Sequence, residues 1–162
     1  MLKQLSAASL ICIILLSCKK NGDDSGSNTM HFSAKINGVQ TNFNSTVLAQ
    51  VTNDPSQSDY NLYIIGIAGN ATNLLPTFDL NINSDAAITT KTYVTKQDQS
   101  IWEASGTYVL DGSSSYYNNN TDFTVTITSL TATQVKGTFS GVLTDGPDVK
   151  TITDGSFTAV IQ

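Results

Sequence analysis

The chain has 162 residues, with eight basic residues against thirteen acidic ones and a formal net charge of −5 at pH 7. Between residues 30 and 162 it carries five lysines, eleven acidic residues and no arginine. Because binding to nucleic acid relies on clustered Lys and Arg side chains that neutralise phosphates, this composition excludes nucleic acid as the expected partner.

The first 17 residues have the pattern of a secretory signal peptide. Lys3 provides a positive charge, and residues 5–16 form an uncharged apolar run of twelve residues. A helix needs about 20 apolar residues to span a bilayer, so a transmembrane helix is the weaker interpretation. The run ends in Leu15-Leu16-Ser17-Cys18, which resembles the lipobox of bacterial lipoproteins. The alternative is an ordinary secretory signal followed by a free or disulfide-bonded cysteine.

The lipobox resemblance implies a specific modification of Cys18. In bacterial lipoproteins the thiol receives a diacylglyceryl group, the signal is cleaved before the cysteine, and the new amine is acylated, with fatty acyl chains such as palmitate. Each buried methylene contributes about 0.8 kcal/mol, so two or three chains make a stable membrane anchor. Cys12 lies in the segment that is removed, which leaves the mature chain without an internal disulfide.

Residues 18–29 are predicted to be the acylated cysteine and a flexible tether. Residues 19–28 are polar and rich in Gly, Ser, Asn and Asp, with a root-mean-square reach of roughly 15–20 Å. Lys19-Lys20 followed by Asp23-Asp24 is similar to the export signal of surface lipoproteins of Bacteroidetes-type bacteria, although two residues separate the pairs. We therefore expect a lipid-anchored protein of the cell envelope at the outer membrane, with surface display favoured over a periplasm-facing location.

Residues 30–162 are predicted to form one all-β domain. Alternating apolar and polar residues recur along the segment, and no window shows a sustained helical pattern. Asn37-Gly38 lies between two alternating runs, which is a strong signal of a β-hairpin. Residues 60–68 are apolar on both faces and predict a central strand. Ile152 is out of phase with Phe157, which predicts a β-bulge or tight turn at Asp154-Gly155.

About 9–11 short strands favour a single antiparallel β-sandwich or a closed meander barrel, with the sandwich preferred. The remaining strands are expected near residues 46–51, 78–83, 92–95, 101–104, 107–110, 123–128 and 135–143. Gly137 and Gly141 fall on the apolar face of the last of these, where a missing side chain lets an aromatic ring or a strand pack closely.

The sequence provides no convincing catalytic or metal-binding set. His31 is the only histidine, which argues against a Ser-His-Asp triad and against zinc. Glu103 is the only glutamate and follows Trp102. A glycosidase-like enzyme would need Glu103 and a second carboxylate as its catalytic pair. Such an enzyme is the least favoured function. Residues 111–122 form a polar segment with Asp111 and Asp122 at its ends, the one candidate for Ca²⁺.

Aromatic residues in polar surroundings suggest a ligand surface. Tyr116 and Tyr117 lie in the same polar segment, and together with Trp102 they are the candidate ligand-binding residues. Tyr60 and Tyr63 permit the same interpretation. Stacking on such rings and hydrogen bonds to Asn and Asp are features of glycan-binding surfaces. These aromatic residues could equally belong to the core.

Residues 127–143, which contain Lys-Gly-Thr-Phe-Ser-Gly, and residues 152–161, which contain Thr-Asp-Gly-Ser-Phe, resemble the closing strands of small uncharacterised surface lipoproteins of Bacteroidetes-type bacteria. The resemblance covers the signal and about the last 40 residues, and it carries no catalytic residue. We therefore expect a non-enzymatic, lipid-anchored β-domain that binds a ligand or an envelope protein. The alternative is a module for a glycan or a small hydrophobic ligand.

Overall fold

The computed structural model describes residues 29–56, 59–95, 103–118 and 122–162. These ranges do not include the predicted signal peptide, Cys18, nearly all of the predicted tether, or Trp102. The predictions made for these residues stay predictions. Within the described ranges, no helix has the length and apolarity needed to cross a membrane.

The domain is all-β, as its alternating pattern predicts, and the described residues contain eleven strands, within the expected number. The strands are β1 His31–Ile36, β2 Val39–Asn42, β3 Thr46–Asp54, β4 Asp59–Ile67, β5 Thr77–Ser84, β6 Thr92–Val94, β7 Ala104–Val109, β8 Ser115–Tyr117, β9 Phe123–Leu130, β10 Gln134–Asp145 and β11 Asp148–Ile161.

The two local predictions made from turn chemistry are confirmed. Asn37 and Gly38 join β1 and β2 with φ values of 50° and 81°, the positive values that a two-residue hairpin turn requires. Asp154 has a φ of 51°. Beside it, the pairing of β11 with β1 and the pairing of β11 with β10 both shift register. One extra residue at this bulge restores the phase between Ile152 and Phe157, which are both buried.

The strands form one mixed sheet in the order β2-β1-β11-β3-β4-β5-β7-β8-β10-β9-β6, with a further pairing between β10 and β11. Through that pairing, strands β11, β3, β4, β5, β7, β8 and β10 form a partial ring. Strands β1 and β2 continue the sheet from β11, and strands β9 and β6 continue it from β10. The expectation of a purely antiparallel sheet is wrong, because β11 and β3 pair in parallel through Val160–Leu48 and Ile161–Ala49. This contact joins strands far apart in the chain, which local alternation does not reveal.

The core is dominated by aromatic rings from strands distant in sequence. Phe32 on β1 and Phe139 on β10 have ring centroids 5.6 and 5.1 Å from the centroid of Phe78 on β5. All three side chains are at most 3% exposed. Aromatic pairs at such distances add about 0.5–1.5 kcal/mol beyond the burial of their surface.

Close packing explains the glycines on β10. A Cβ atom at Gly137 would lie 2.5 Å from the ring of Phe157, and one at Gly141 would lie 2.6 Å from the ring of Phe123. Gly141 also has a φ of 155°, which L side chains rarely adopt. Both positions therefore serve the packing of aromatic rings, as predicted.

The interval between Asp111 and Asp122 is not only a loop. Ser115–Tyr117 forms strand β8, which pairs with β7 along its length and with β10 at Tyr117–Thr144. The polar composition of this interval conceals the strand, which is held in place because Tyr116 inserts into the core at 4% exposure.

Candidate functional site

Tyr116 and Tyr117, the two neighbouring tyrosines predicted to bind a ligand, project from opposite faces of β8. Tyr116 stacks on Tyr108 with ring centroids 5.9 Å apart, and the Nζ atom of Lys150 lies 4.7 Å from its ring centroid. Tyr117 is 46% exposed on the outer face. The structure therefore leaves Tyr117 available to a ligand and places Tyr116 in the core.

The third candidate, Trp102, lies outside the described residues, but its neighbour Glu103 is placed. The backbone N–H of Asn83 donates to the carbonyl oxygen of Glu103 at 3.2 Å, so Glu103 lies beside β5 at the start of β7. Its Oε1 atom forms an ion pair with the Nζ atom of Lys91 at 3.4 Å. In this position, the only glutamate has a basic partner on the protein itself.

The proposed Ca²⁺ ligand Asp111 is engaged in a turn. Its Oδ1 atom accepts hydrogen bonds from the backbone N–H and hydroxyl of Ser113, both at 2.8 Å, and from the backbone N–H of Ser114 at 2.9 Å. These bonds, above all the backbone N–H of Ser113, lower the pKa of the Asp111 carboxyl. Among the described residues, no group of three or more His, Cys, Asp or Glu side chains could hold a metal ion.

A different surface gathers exposed aromatic and hydrogen-bonding side chains. We call it the tyrosine face, and it consists of the outward side chains of β3, β4, β5, β7 and β8. Successive side chains of a strand point to opposite faces, so the buried residues of these strands alternate with the members of this face. Among its polar and aromatic members are Gln50, Asn61, Tyr63, Asp79, Asn81, Asn83, Ser105, Thr107 and Tyr117.

The strand register aligns these side chains in rows. One row runs from Asp79 on β5 through Thr107 on β7 to Tyr117 on β8. The next row pairs Tyr63 on β4 with Asn81 on β5. Because neighbouring strands lie about 4.8 Å apart, the strands of the two tyrosines are roughly 14 Å apart, with Asp79 between them. That span suits an extended ligand with several units.

Asp79 and Tyr63 interact directly. Burial first, and then the charge and hydrogen-bonding attraction of the Asp79 carboxylate, raise the pKa of Tyr63 to about 12. Burial also raises the pKa of Asp79, and the hydrogen bond from Tyr63 opposes that rise. The Oδ1 atom of Asp79 is buried and has no hydrogen-bond partner in the described part of the chain. Such an unpaired acceptor costs about 1–3 kcal/mol.

Three asparagines form a network beside this pair. The side-chain Nδ2 of Asn61 donates to the Oδ1 atoms of Asn81 at 2.7 Å and of Asn83 at 2.5 Å. Because their Oδ1 atoms face Asn61, the amide groups of Asn81 and Asn83 direct their N–H donors away from it. In the described ranges no protein group accepts from those donors. They are therefore available to a ligand that carries hydroxyl or carbonyl oxygens.

A shallow groove of about 340 Å³ borders the ring of Tyr63. Leu48 and Ile65 supply apolar surface in it, and Gln50 and Gln162 supply amide groups. An aromatic ring beside a small apolar patch and amides suits a ligand that has both apolar C–H surfaces and polar groups.

The opposite outer surface, which we call the hydroxyl face, has a different composition. Its register aligns one row of small polar side chains across six strands, namely Thr92, Thr126, Thr138, Ser156, Ser33 and Asn42. A groove of about 510 Å³ crosses it. At its margin, the Nζ atom of Lys35 lies 2.8 Å from Oδ2 of Asp154. Exposed strand threonines of this kind need no ligand to explain them.

Sequence reasoning missed Asp79, Asn81 and Asn83 as candidate site residues, although their signal was present. They alternate with Phe78, Leu80 and Ile82 and so had to share the outward face of one strand. What the sequence did not show was that β4 and β8 would bring Tyr63 and Tyr117 to either side of them. The chain matches no protein-family model, and no curated protein or solved structure matches it.

Proposed function

We propose that this protein is a lipid-anchored lipoprotein of the bacterial cell envelope whose β-domain binds glycans through the tyrosine face, without catalysing a reaction. The observation that carries the glycan assignment is the position of the exposed rings of Tyr63 and Tyr117 on either side of Asp79.

Glycan chemistry fits the groups on this face. Sugar rings have apolar C–H surfaces, which pack on tyrosine rings, and hydroxyl groups, which both donate and accept hydrogen bonds. Asn81 and Asn83 offer amide donors, and Asp79 offers an acceptor. A site on the surface is favoured over an internal cavity for a hydrophobic ligand. The reason is that the rings of Phe32, Phe78 and Phe139 lie in mutual contact in the interior.

The binding proposal is tested on a glycan array with the purified full-length lipoprotein in detergent. For each glycan bound, Tyr63→Ala and Tyr117→Ala are each expected to weaken affinity at least about tenfold, which corresponds to ~1.4 kcal/mol. Thr138→Ala, an exposed change on the hydroxyl face, is the matched control and should leave affinity unchanged. Unaltered binding by both tyrosine variants would show that the ligand binds elsewhere.

The anchoring proposal rests on the lipobox and on the polar tether that follows it. Cys18 is the only cysteine of the mature chain, so it has no internal disulfide partner. Cys18→Ser should move the protein from the membrane fraction to the soluble fraction while the domain keeps its thermal unfolding midpoint. A Cys18→Ser protein that stays in the membrane fraction contradicts the anchor. Protease accessibility on intact cells then tests surface display at the outer membrane.

We also propose that the partial ring is a two-layer β-sandwich. One layer would contain β2, β1, β11, β10, β9 and β6, and the other β3, β4, β5, β7 and β8. The contacts of Phe78 with Phe32 and Phe139 support this description, because they join the two sets of strands through their buried faces. A solved structure with a continuous lumen between the two sets would contradict it.

A further inference from the structure

We infer that Asp79 restricts the ligands of the tyrosine face to neutral glycans and excludes glycans that carry carboxylates or sulfates. This inference rests on the proposed function and names the class of ligand that the same site takes.

The first support is the unpaired oxygen of Asp79. Its Oδ1 atom is buried and accepts no hydrogen bond in the described part of the chain. An ionised carboxylate can only accept, so a ligand satisfies it by bringing a donor. A sugar hydroxyl is such a donor, and a hydrogen bond to a charged acceptor is stronger than one between neutral groups.

The second support is the charge around Asp79. Its neighbours across the sheet are Ile65 on β4 and Thr107 on β7, and its diagonal contact is Tyr63, none of which is cationic. Lys91, in the segment that follows β5, is already paired with Glu103. An anionic ligand here would meet a partly buried negative charge with no cation to offset it, and repulsion between like charges is strong where water is excluded.

The third support is the way a ligand can reach the carboxylate. Oδ1 is buried in the unliganded domain, so a neighbouring side chain must move before a ligand can bind it. Tyr63 is 37% exposed and interacts with the same carboxylate, so in this proposal its side chain is the one that moves. A ligand hydroxyl would then take the place of the Tyr63 hydroxyl or of the missing partner on Oδ1.

The test compares matched ligands on the full-length lipoprotein in detergent. The probes are β-1,4-linked hexasaccharides of glucose and mannose, with glucuronate and mannuronate hexasaccharides of the same linkage as their respective partners. The wild type is expected to bind at least one neutral member, and to bind it at least tenfold more tightly than its uronate. Asp79→Asn should reduce that preference to less than threefold, chiefly through weaker binding of the neutral member.

Two variants separate the charge of Asp79 from other effects. Asp148→Asn removes an exposed carboxylate at the first residue of β11 and should leave the preference unchanged. Tyr63→Phe keeps the Asp79 charge and should keep the preference for the neutral member. Thermal unfolding of each variant shows that it is folded.

The outcomes are distinct. Equal binding of a neutral hexasaccharide and its uronate by the wild type, or an undiminished preference in Asp79→Asn, overturns the role of Asp79 and leaves glycan binding standing. Binding of neither neutral hexasaccharide, or tighter binding of a uronate, also overturns this inference, whereas binding of no glycan on the array overturns the proposed function and this inference with it.

Discussion

Strand β5 has two faces with opposite roles. Phe78, Leu80 and Ile82 point inward and are fully buried. Asp79, Asn81 and Asn83 point outward and are partly exposed. Asn81 and Asn83 accept hydrogen bonds from Asn61, whereas the Oδ1 atom of Asp79 has no hydrogen-bond partner among the described residues. The inner residues of this strand supply stability, and the outer residues are the ones we propose for recognition, so the two properties should be separable by mutation.

The largest expected effect is on the inner face. Leu80→Ala should lower the free energy of unfolding by about 2–5 kcal/mol, because it removes buried methylenes and leaves a cavity. Urea denaturation measures this change. Asn81→Ala, the adjacent outward residue, should lose only about 0.5–1.5 kcal/mol, the value of the hydrogen bond from Asn61. If the two variants are equally destabilised, the division between the faces is wrong.

A smaller effect is expected from the outward carboxyl of Asp79. Burial raises its folded-state pKa above the ordinary 3.8, so between these two values the folded state binds more protons than the unfolded state. Stability should therefore fall as the pH rises through that window, and the loss persists at higher pH. Asp79→Asn should remove this slope and raise Tm at pH 7.

Thermal unfolding across the mildly acidic range measures this dependence. Asp148→Asn removes an exposed carboxylate and should retain the wild-type slope. A wild-type slope in Asp79→Asn would mean that another group causes the pH dependence.

The last expected effect, at high pH, is on the ionisation of Tyr63. Its pKa of about 12 means that, between about pH 10 and 12, the folded state keeps a proton that the unfolded state has lost, so stability should fall across this range. Asp79→Asn should lower the pKa of Tyr63 only part of the way towards 10, because burial is the first cause of the shift. The difference in phenolate absorbance between each protein and its Tyr63→Phe variant measures this pKa. An unchanged value in Asp79→Asn would contradict the contact between the two side chains.

Local chemistry in the sequence predicted several features because each depends on few neighbouring residues. The hairpin at Asn37-Gly38 follows from the positive φ that both residues tolerate, and the bulge at Asp154 follows from the broken alternation around it. The burial of Tyr116 was not predictable in this way. Polar residues surround it in the chain, and only the pairing of β8 with β7 brings it against Tyr108.

The candidate site divides along the same line. The alternation of residues 78–83 by itself determined that Asp79, Asn81 and Asn83 share one face of a strand, because the side-chain period of a strand is two. Only the tertiary structure decided that this face lies between Tyr63 and Tyr117, since strand order and register depend on contacts between distant segments. In the same way, the sequence determined an all-β domain, while the parallel pairing of β11 with β3 was decided by the tertiary structure, because it joins segments far apart in the chain.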